Sequence, residues 1–163
     1  NTSSGIAWAP FVFGKPQLIC NAIPLGELPS VHKGIILPKL VINSEDQSIL
    51  KIKELLKIKI FKLHEFNTRS SYKNLFVNYD ATRFQSDFYY KEKKLKVLDN
   101  TESEICIATQ ELIDCIIENK KLDSTQKQKQ IKFKNAFPIY HPMRKTRAII
   151  SPRWLDINLD KLI

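Results

Sequence analysis

Apolar and polar positions along the chain change period several times, and each change marks an element. The small polar residues of Asn1-Thr2-Ser3-Ser4-Gly5 precede an almost wholly apolar run from Ile6 to Phe13, and Gly14-Lys15-Pro16 follows it. Cap, buried run and glycine stop in that order predict a short helix, with Pro10 as the point where it kinks or ends early. Gln17-Leu18-Ile19-Cys20-Asn21 is a short apolar run closed by a polar residue and reads as a buried strand. Ala22 to Lys33 holds Pro24, Gly26 and Pro29 without periodicity, a loop where α/β proteins place ligand contacts. Ile35 to Val41 is extended but contains Pro38, which favours a surface strand over a central one. From Ile49 to Leu63 the two periods mix; Ile52, Leu55 and Leu56 with Lys51 and Lys59 suit an amphipathic helix, the reading adopted, while Ile58 and Ile60 suit a strand.

Asn67 to Tyr90 is aromatic and polar without a clean period and reads as an irregular insertion. Leu95 to Leu98 alternates as a strand does, and Asp99-Asn100 ends it. Thr101-Glu102-Ser103-Glu104 is a capping box, after which Ile105, Ala108, Leu112, Ile113, Ile116 and Ile117 are spaced for one buried helical face. Ser124 to Phe137 predicts a further helix, and Pro138 to Arg147 a basic loop around His141. Ser151-Pro152 opens a terminal helix through Trp154, Leu155, Leu159 and Leu162, so that residues 151–163 close the chain. Strands alternating with helices predict an α/β domain with a parallel sheet flanked by helices, with Gln17–Cys20 and Leu95–Leu98 in that same sheet. The chain opens on Asn1, without Met or a signal-peptide pattern, and shows two or three strands. The expectation is one partial domain over residues 1–163 whose preceding strand and N-terminal domain are missing. Such an open sheet edge would make the isolated chain prone to aggregate.

Composition narrows the class. A chain of 163 residues with 43% hydrophobic and 26% charged residues builds a globular core, which excludes a disordered tail. No apolar run approaches the ~20 residues of a membrane helix. Lys plus Arg exceed Asp plus Glu by 26 to 17, a net charge of +9, so an anionic partner is expected: nucleic acid, a phosphorylated ligand or an acidic membrane face. Lys127, Lys129, Lys132 and Lys134 recur at every second or third residue and spread around a helix, which argues against a nucleic-acid footprint. Phe84, Phe88, Tyr89 and Tyr90 can stack on bases or sugars, though core packing explains such residues more often. Three cysteines, Cys20, Cys106 and Cys115, and three histidines lie in no metal-ligand spacing, so no metal or cofactor is expected and a reducing cytoplasm fits. Cys106 and Cys115 read as small buried residues of one helix.

Chemistry is concentrated in a few places. Asn1 to Gly5 offers backbone amides at a helix start, the hydroxyls of Thr2, Ser3 and Ser4, and in Gly5 a residue that lets a ligand reach the backbone. Free amides and the positive end of the helix dipole suit a phosphate; the alternative is an ordinary capped helix. His32, in the loop after the first strand and near Glu27, is a candidate acid, base or phosphate contact against the alternative of a solvated histidine. His141 with Arg144, Lys145 and Arg147 forms a basic loop suited to an anionic acceptor or lipid carrier, or simply a solvated surface.

Asn1-Thr2-Ser3-Ser4-Gly5-Ile6, Ala9-Pro10, Phe13-Gly14-Lys15-Pro16, Asn21, Pro24-Leu25 and Leu37-Pro38-Lys39-Leu40 together resemble the C-terminal domain of glycosyltransferases of bacterial surface-carbohydrate biosynthesis. Val97-Leu98-Asp99-Asn100-Thr101 with Glu104-Ile105, and Ala148 to Ile163 with Trp154-Leu155, Asn158 and Leu162, resemble later segments of the same family. The resemblance implies the C-terminal, Rossmann-like half of a two-domain fold. It implies a nucleoside diphosphate sugar as donor, with Thr2, Ser3, Ser4 and Gly5 against its diphosphate. It further implies a glycan or lipid-linked acceptor; with the cysteine usage and the net charge, the expectation is a cytoplasmic enzyme that can touch the acidic inner membrane face. The first block is also similar to UDP-N-acetylglucosamine 2-epimerases, whose Ser-Ser-Gly is followed by an acidic residue for the ribose. Here Ala7, Trp8 and Ala9 fill that place, which favours the transferase. A basic nucleic-acid-binding module is the alternative from another class.

Overall fold

A computed structural model describes residues 8–23, 25, 33–57, 87–139 and 141–163. The first element, α1 (Trp8–Val12), ends at Gly14, whose φ of 62° is the left-handed conformation glycine adopts without cost. Lys15 N–H donates to Pro10 O at 2.8 Å, the long-range bond of a Schellman stop, and the chain turns into β1 (Gln17–Ala22). The glycine and proline signals thus end the helix where the residue pattern predicts.

β1 pairs in parallel with β2 (Gly34–Pro38), and β2 pairs in parallel with β5 (Ile149–Ile150), giving a three-stranded sheet in the order β1-β2-β5. All five residues of β2 are buried, so it is the central strand and not the surface strand expected from Pro38. The proline is tolerated because it is the last residue of the strand, where its missing N–H takes nothing from the ladder. Gly34 is required at the other end: a Cβ there would lie 2.1 Å from Gln17 O.

One residue beyond Pro38 the chain enters a second sheet, in which β3 (Leu40–Asn43) pairs antiparallel with β4 (Leu95–Leu98). This corrects the expectation that Leu95–Leu98 joins the parallel sheet. Both edges of β2 are taken by β1 and β5, while β3 offers four successive partners, Leu40 to Asn43, to the four residues of β4. β5 was hidden from the residue pattern because two apolar residues carry no period.

Helices flank the parallel sheet. The helix α2 (Ile52–Lys57) covers part of the predicted Ile49–Leu63 helix; α3 (Asp87–Glu92) makes the last residues of the expected irregular insertion Asn67–Tyr90 helical and runs two residues past it, while the rest of that insertion falls outside the described residues. Tyr89 and Tyr90 of α3 are buried with their rings edge to face at 5.6 Å, packing with Val41, Leu55 and Leu95 in a small second core. The helix α4 (Glu102–Leu112) packs on β1 and β2, and α5 (Ser124–Asn135) packs on the terminal helix α7 (Pro152–Leu162). Between them lies the short helix α6 (Pro142–Lys145). Phe133, Phe137, Trp154, Leu155 and Leu159 close over Ile35, Ile36 and Ile150 in the main core, with Phe133 edge to face against both Phe137 and Trp154.

Two expectations for α4 are corrected. The helix runs on as a wide π-helical turn, Ile113–Ile117, which adds residues per turn and breaks the 3.6-residue stripe. Ala108 and Ile116 stay buried, but Ile113 is exposed and Ile117 is 61% exposed, so neither joins the buried face expected. Cys106 is exposed and Cys115 only partly buried, so neither is the small core residue expected.

Candidate functional site

Parallel α/β sheets bind ligands at the carboxyl ends of their strands. Here that edge is formed by the ends of β1 and β2, the link into β3, and the segment from β4 into α4. Asn21, near the end of β1, has a φ of 53°, and the β1–β2 register shifts between Ile19 and Ala22. Asparagine enters that left-handed region more readily than most residues. Asn21 N–H donates to Asn100 Oδ1 at 2.6 Å, Asn100 N–H donates to Asn21 Oδ1 at 2.7 Å, and Asn100 Nδ2 donates to Pro38 O at 2.8 Å. One amide pair therefore ties the ends of β1 and β2 to the entrance of α4. Beside it Lys39 N–H donates to Ala22 O, and Lys39 Nζ forms an ion pair with Asp99. Asn21, Lys39, Asp99 and Asn100 all lie within the segments that carry the family resemblance, but residue types alone do not disclose a pairing across 79 positions.

Helix starts are common anion sites. Three described helices have more than ten residues, and each start is already closed by a carboxylate. At α4, Thr101 Oγ1 accepts from Glu104 N–H while Glu104 Oε2 accepts from Thr101 N–H at 2.7 Å, the predicted capping box. At α5, Asp123 accepts from Gln126 N–H at 2.8 Å, one residue ahead of the predicted start. At α7, Ser151 Oγ accepts from Trp154 N–H and Glu111 Oε1 accepts from Arg153 N–H at 2.8 Å. Burial pushes the Glu111 carboxyl above its usual range, against the opposing hydrogen bond from Ser151. Thr2, Ser3, Ser4 and Gly5, which carry the phosphate expectation, lie outside the described residues, as do His32 and Glu27.

His141 is not part of a solvated basic loop. It is 1% exposed, its Nδ1 accepts from Met143 N–H at 3.2 Å at the start of α6, and its ring lies 4.6 Å from that of Phe137. Desolvation lowers its pKa to about 4, so it is neutral at pH 7 and serves as a buried helix cap. Arg144 is turned inward to donate to Phe137 O, while Lys145 and Arg147 are exposed.

Three of the four lysines of α5 are also engaged. Lys129 and Lys132 pair with Asp156 and Asp160 of α7 at 2.7 and 3.0 Å, and Lys134, whose pKa is lowered by burial, donates to Thr146 O. Burial raises the thiol pKa values of Cys20 and Cys115, which disfavours the nucleophilic thiolate. Among the described residues no group of three or more His, Cys, Asp or Glu side chains is placed to hold a metal, and no helix is long and apolar enough to cross a membrane.

The fold and this edge define the chain as an α/β protein with a parallel sheet and a polar carboxyl edge. No protein-family model, curated protein or solved structure matches it.

Proposed function

We propose that this chain is the Rossmann-like, donor-binding half of a glycosyltransferase that moves a sugar from a nucleoside diphosphate sugar to a surface glycan or lipid-linked acceptor. Support comes first from topology: β1, entered from α1 through a tight glycine turn, belongs to a parallel sheet whose carboxyl edge is polar. Parallel α/β sheets bind nucleotides at their carboxyl edge. The three described helices of more than ten residues start against carboxylates, and the proposal assigns the diphosphate to Thr2, Ser3, Ser4 and Gly5, as the family resemblance implies. In this proposal amides and hydroxyls there stabilise the charge that develops on the departing diphosphate.

Calorimetry of UDP and other nucleoside diphosphates against the full-length protein tests this directly. Gly5→Val should abolish nucleotide binding by blocking approach to the backbone while leaving the thermal transition in place. Ser3→Ala and Ser4→Ala should each weaken binding by about 1 kcal/mol, the worth of one hydrogen bond. Unchanged nucleotide affinity in a folded Gly5→Val protein would remove the site.

A further inference from the structure

Asn21 carries one hydrogen-bonding group more than its structural role uses. Asn100 N–H can only donate, so the side-chain atom of Asn21 that faces it is Oδ1, and Nδ2 is fixed on the other side of the amide. Among the described residues nothing accepts a hydrogen bond from that Nδ2, and Asn21 is half-buried. Asn100, by contrast, uses both ends of its amide: Oδ1 accepts from Asn21 N–H and Nδ2 donates to Pro38 O. The structural role of Asn21 alone would favour aspartate at position 21. Asn100 immediately precedes Thr101, the N-cap of α4, where the helix dipole strengthens a bond to a carboxylate. Aspartate also enters the left-handed region that holds Asn21 at a φ of 53°. What asparagine adds is the Nδ2 donor. It is held at the carboxyl edge of the parallel sheet, where the β1–β2 register shifts between Ile19 and Ala22, the kind of irregularity that re-aims side chains beside ligand sites.

We infer that Asn21 Nδ2 donates to an uncharged oxygen of the nucleoside, a base carbonyl or a ribose hydroxyl, of the nucleotide bound at this edge; the assignment rests on the glycosyltransferase proposal. Charge selects the nucleoside over the diphosphate. Lys39, whose N–H donates to Ala22 O, is already paired with Asp99, so the edge beside Asn21 presents a neutral amide and a balanced ion pair. A diphosphate draws free cations or the amides of a helix start, whereas a neutral carbonyl or hydroxyl is matched by a single amide donor of fixed direction.

Asn21→Asp is the deciding variant, because it keeps the acceptor for Asn100 N–H and replaces only the donor. UDP, ADP, GDP and dTDP are titrated into the parent protein by calorimetry, and the tightest binder is carried forward with inorganic pyrophosphate beside it. In Asn21→Asp the thermal midpoint should equal or exceed the parent's, the nucleotide should bind at least tenfold more weakly, and pyrophosphate should bind as before. In the parent protein the side-chain amide resonances of Asn21 should shift on saturation with the nucleotide and stay in place with pyrophosphate, a readout that needs no variant. Nucleotide affinity unchanged in Asn21→Asp, an equal loss for pyrophosphate, a lowered thermal midpoint, or amide resonances unmoved by the nucleotide would overturn the assignment. The two proposals separate cleanly: nucleotide binding lost in Gly5→Val but kept in Asn21→Asp removes the Asn21 contact alone, whereas no binding of any of these nucleotides by the parent removes both.

Discussion

The side-chain amide of Gln130 makes both hydrogen bonds that a neighbouring strand would make to Ile150: its Nε2 donates to Ile150 O at 2.6 Å and its Oε1 accepts from Ile150 N–H at 2.9 Å. Ile150 is one of only two residues in β5 and faces β2 on its other side. A glutamine from α5 thus completes the ladder of a strand too short to recruit another. Gln130→Leu should leave two buried main-chain groups unpaired and cost about 3 kcal/mol in denaturant unfolding. A cost near zero would show that the edge is satisfied in another way.

The Asn21–Asn100 pair predicts strong coupling between positions far apart in the chain. Asn21→Gly keeps access to positive φ but removes the Oδ1 acceptor, and Asn100→Ala removes both the acceptor for Asn21 N–H and the donor to Pro38 O. Each should cost about 1–3 kcal/mol, and in a double-mutant cycle the two losses should fall short of adding by about 1 kcal/mol. Simple additivity would mean that the bonds act independently.

Gly34 admits no side chain. Gly34→Ala would drive a Cβ into Gln17 O at the start of the β1–β2 ladder, where backbone and not a flexible side chain must move. Loss of the cooperative transition, or destabilisation of about 3 kcal/mol or more, is expected in thermal unfolding. Gly14→Ala, with open space around it but a φ of 62°, should cost only about 1 kcal/mol.

His141 should make the protein acid-sensitive. Its folded pKa of about 4 lies below the unfolded value near 6.5, so the stability held with the neutral ring is complete above pH 6.5 and is lost as pH falls towards 4. The loss over that interval should reach about 3 kcal/mol. His141→Asn, which keeps a cap for Met143 N–H, should be less stable at pH 7 and show a flatter profile between pH 6.5 and 4.

Glu111 should act with the opposite sign. Its carboxyl pKa is raised by burial, so its contribution is most favourable below the unfolded value of about 4.5 and declines as pH rises through the higher folded value. Glu111→Gln retains an oxygen to accept from Arg153 N–H and removes that decline. Urea unfolding at pH 4 and pH 7 should therefore show a smaller difference between the two pH values for Glu111→Gln, corrected for the His141 effect, than for the parent chain.

Residue order by itself determined the elements whose signals are local. The Gly14 stop after α1, the Thr101–Glu104 capping box and the Ser151-Pro152 start of α7 each join residues within a few positions, and all three form as the pattern predicts. The apolar runs at Gln17 and Leu95 likewise become strands. Tertiary structure decided what those elements meet. Leu95–Leu98 pairs with β3 because β2 is already filled on both edges, and Pro38 ends a central strand because the chain needs no N–H where it leaves the sheet. His141 changes from an expected surface cation into a buried neutral cap because Phe137 and Met143 pack around it, and the π-helical turn exposes Ile117 against its helical period. The carboxyl edge follows the same rule: Asn21 and Asn100 become one unit only when the ends of two sheets converge. Capping and periodicity are written in neighbouring residues, whereas burial and hydrogen-bond partnership depend on segments tens of residues apart and exist only once the chain has folded.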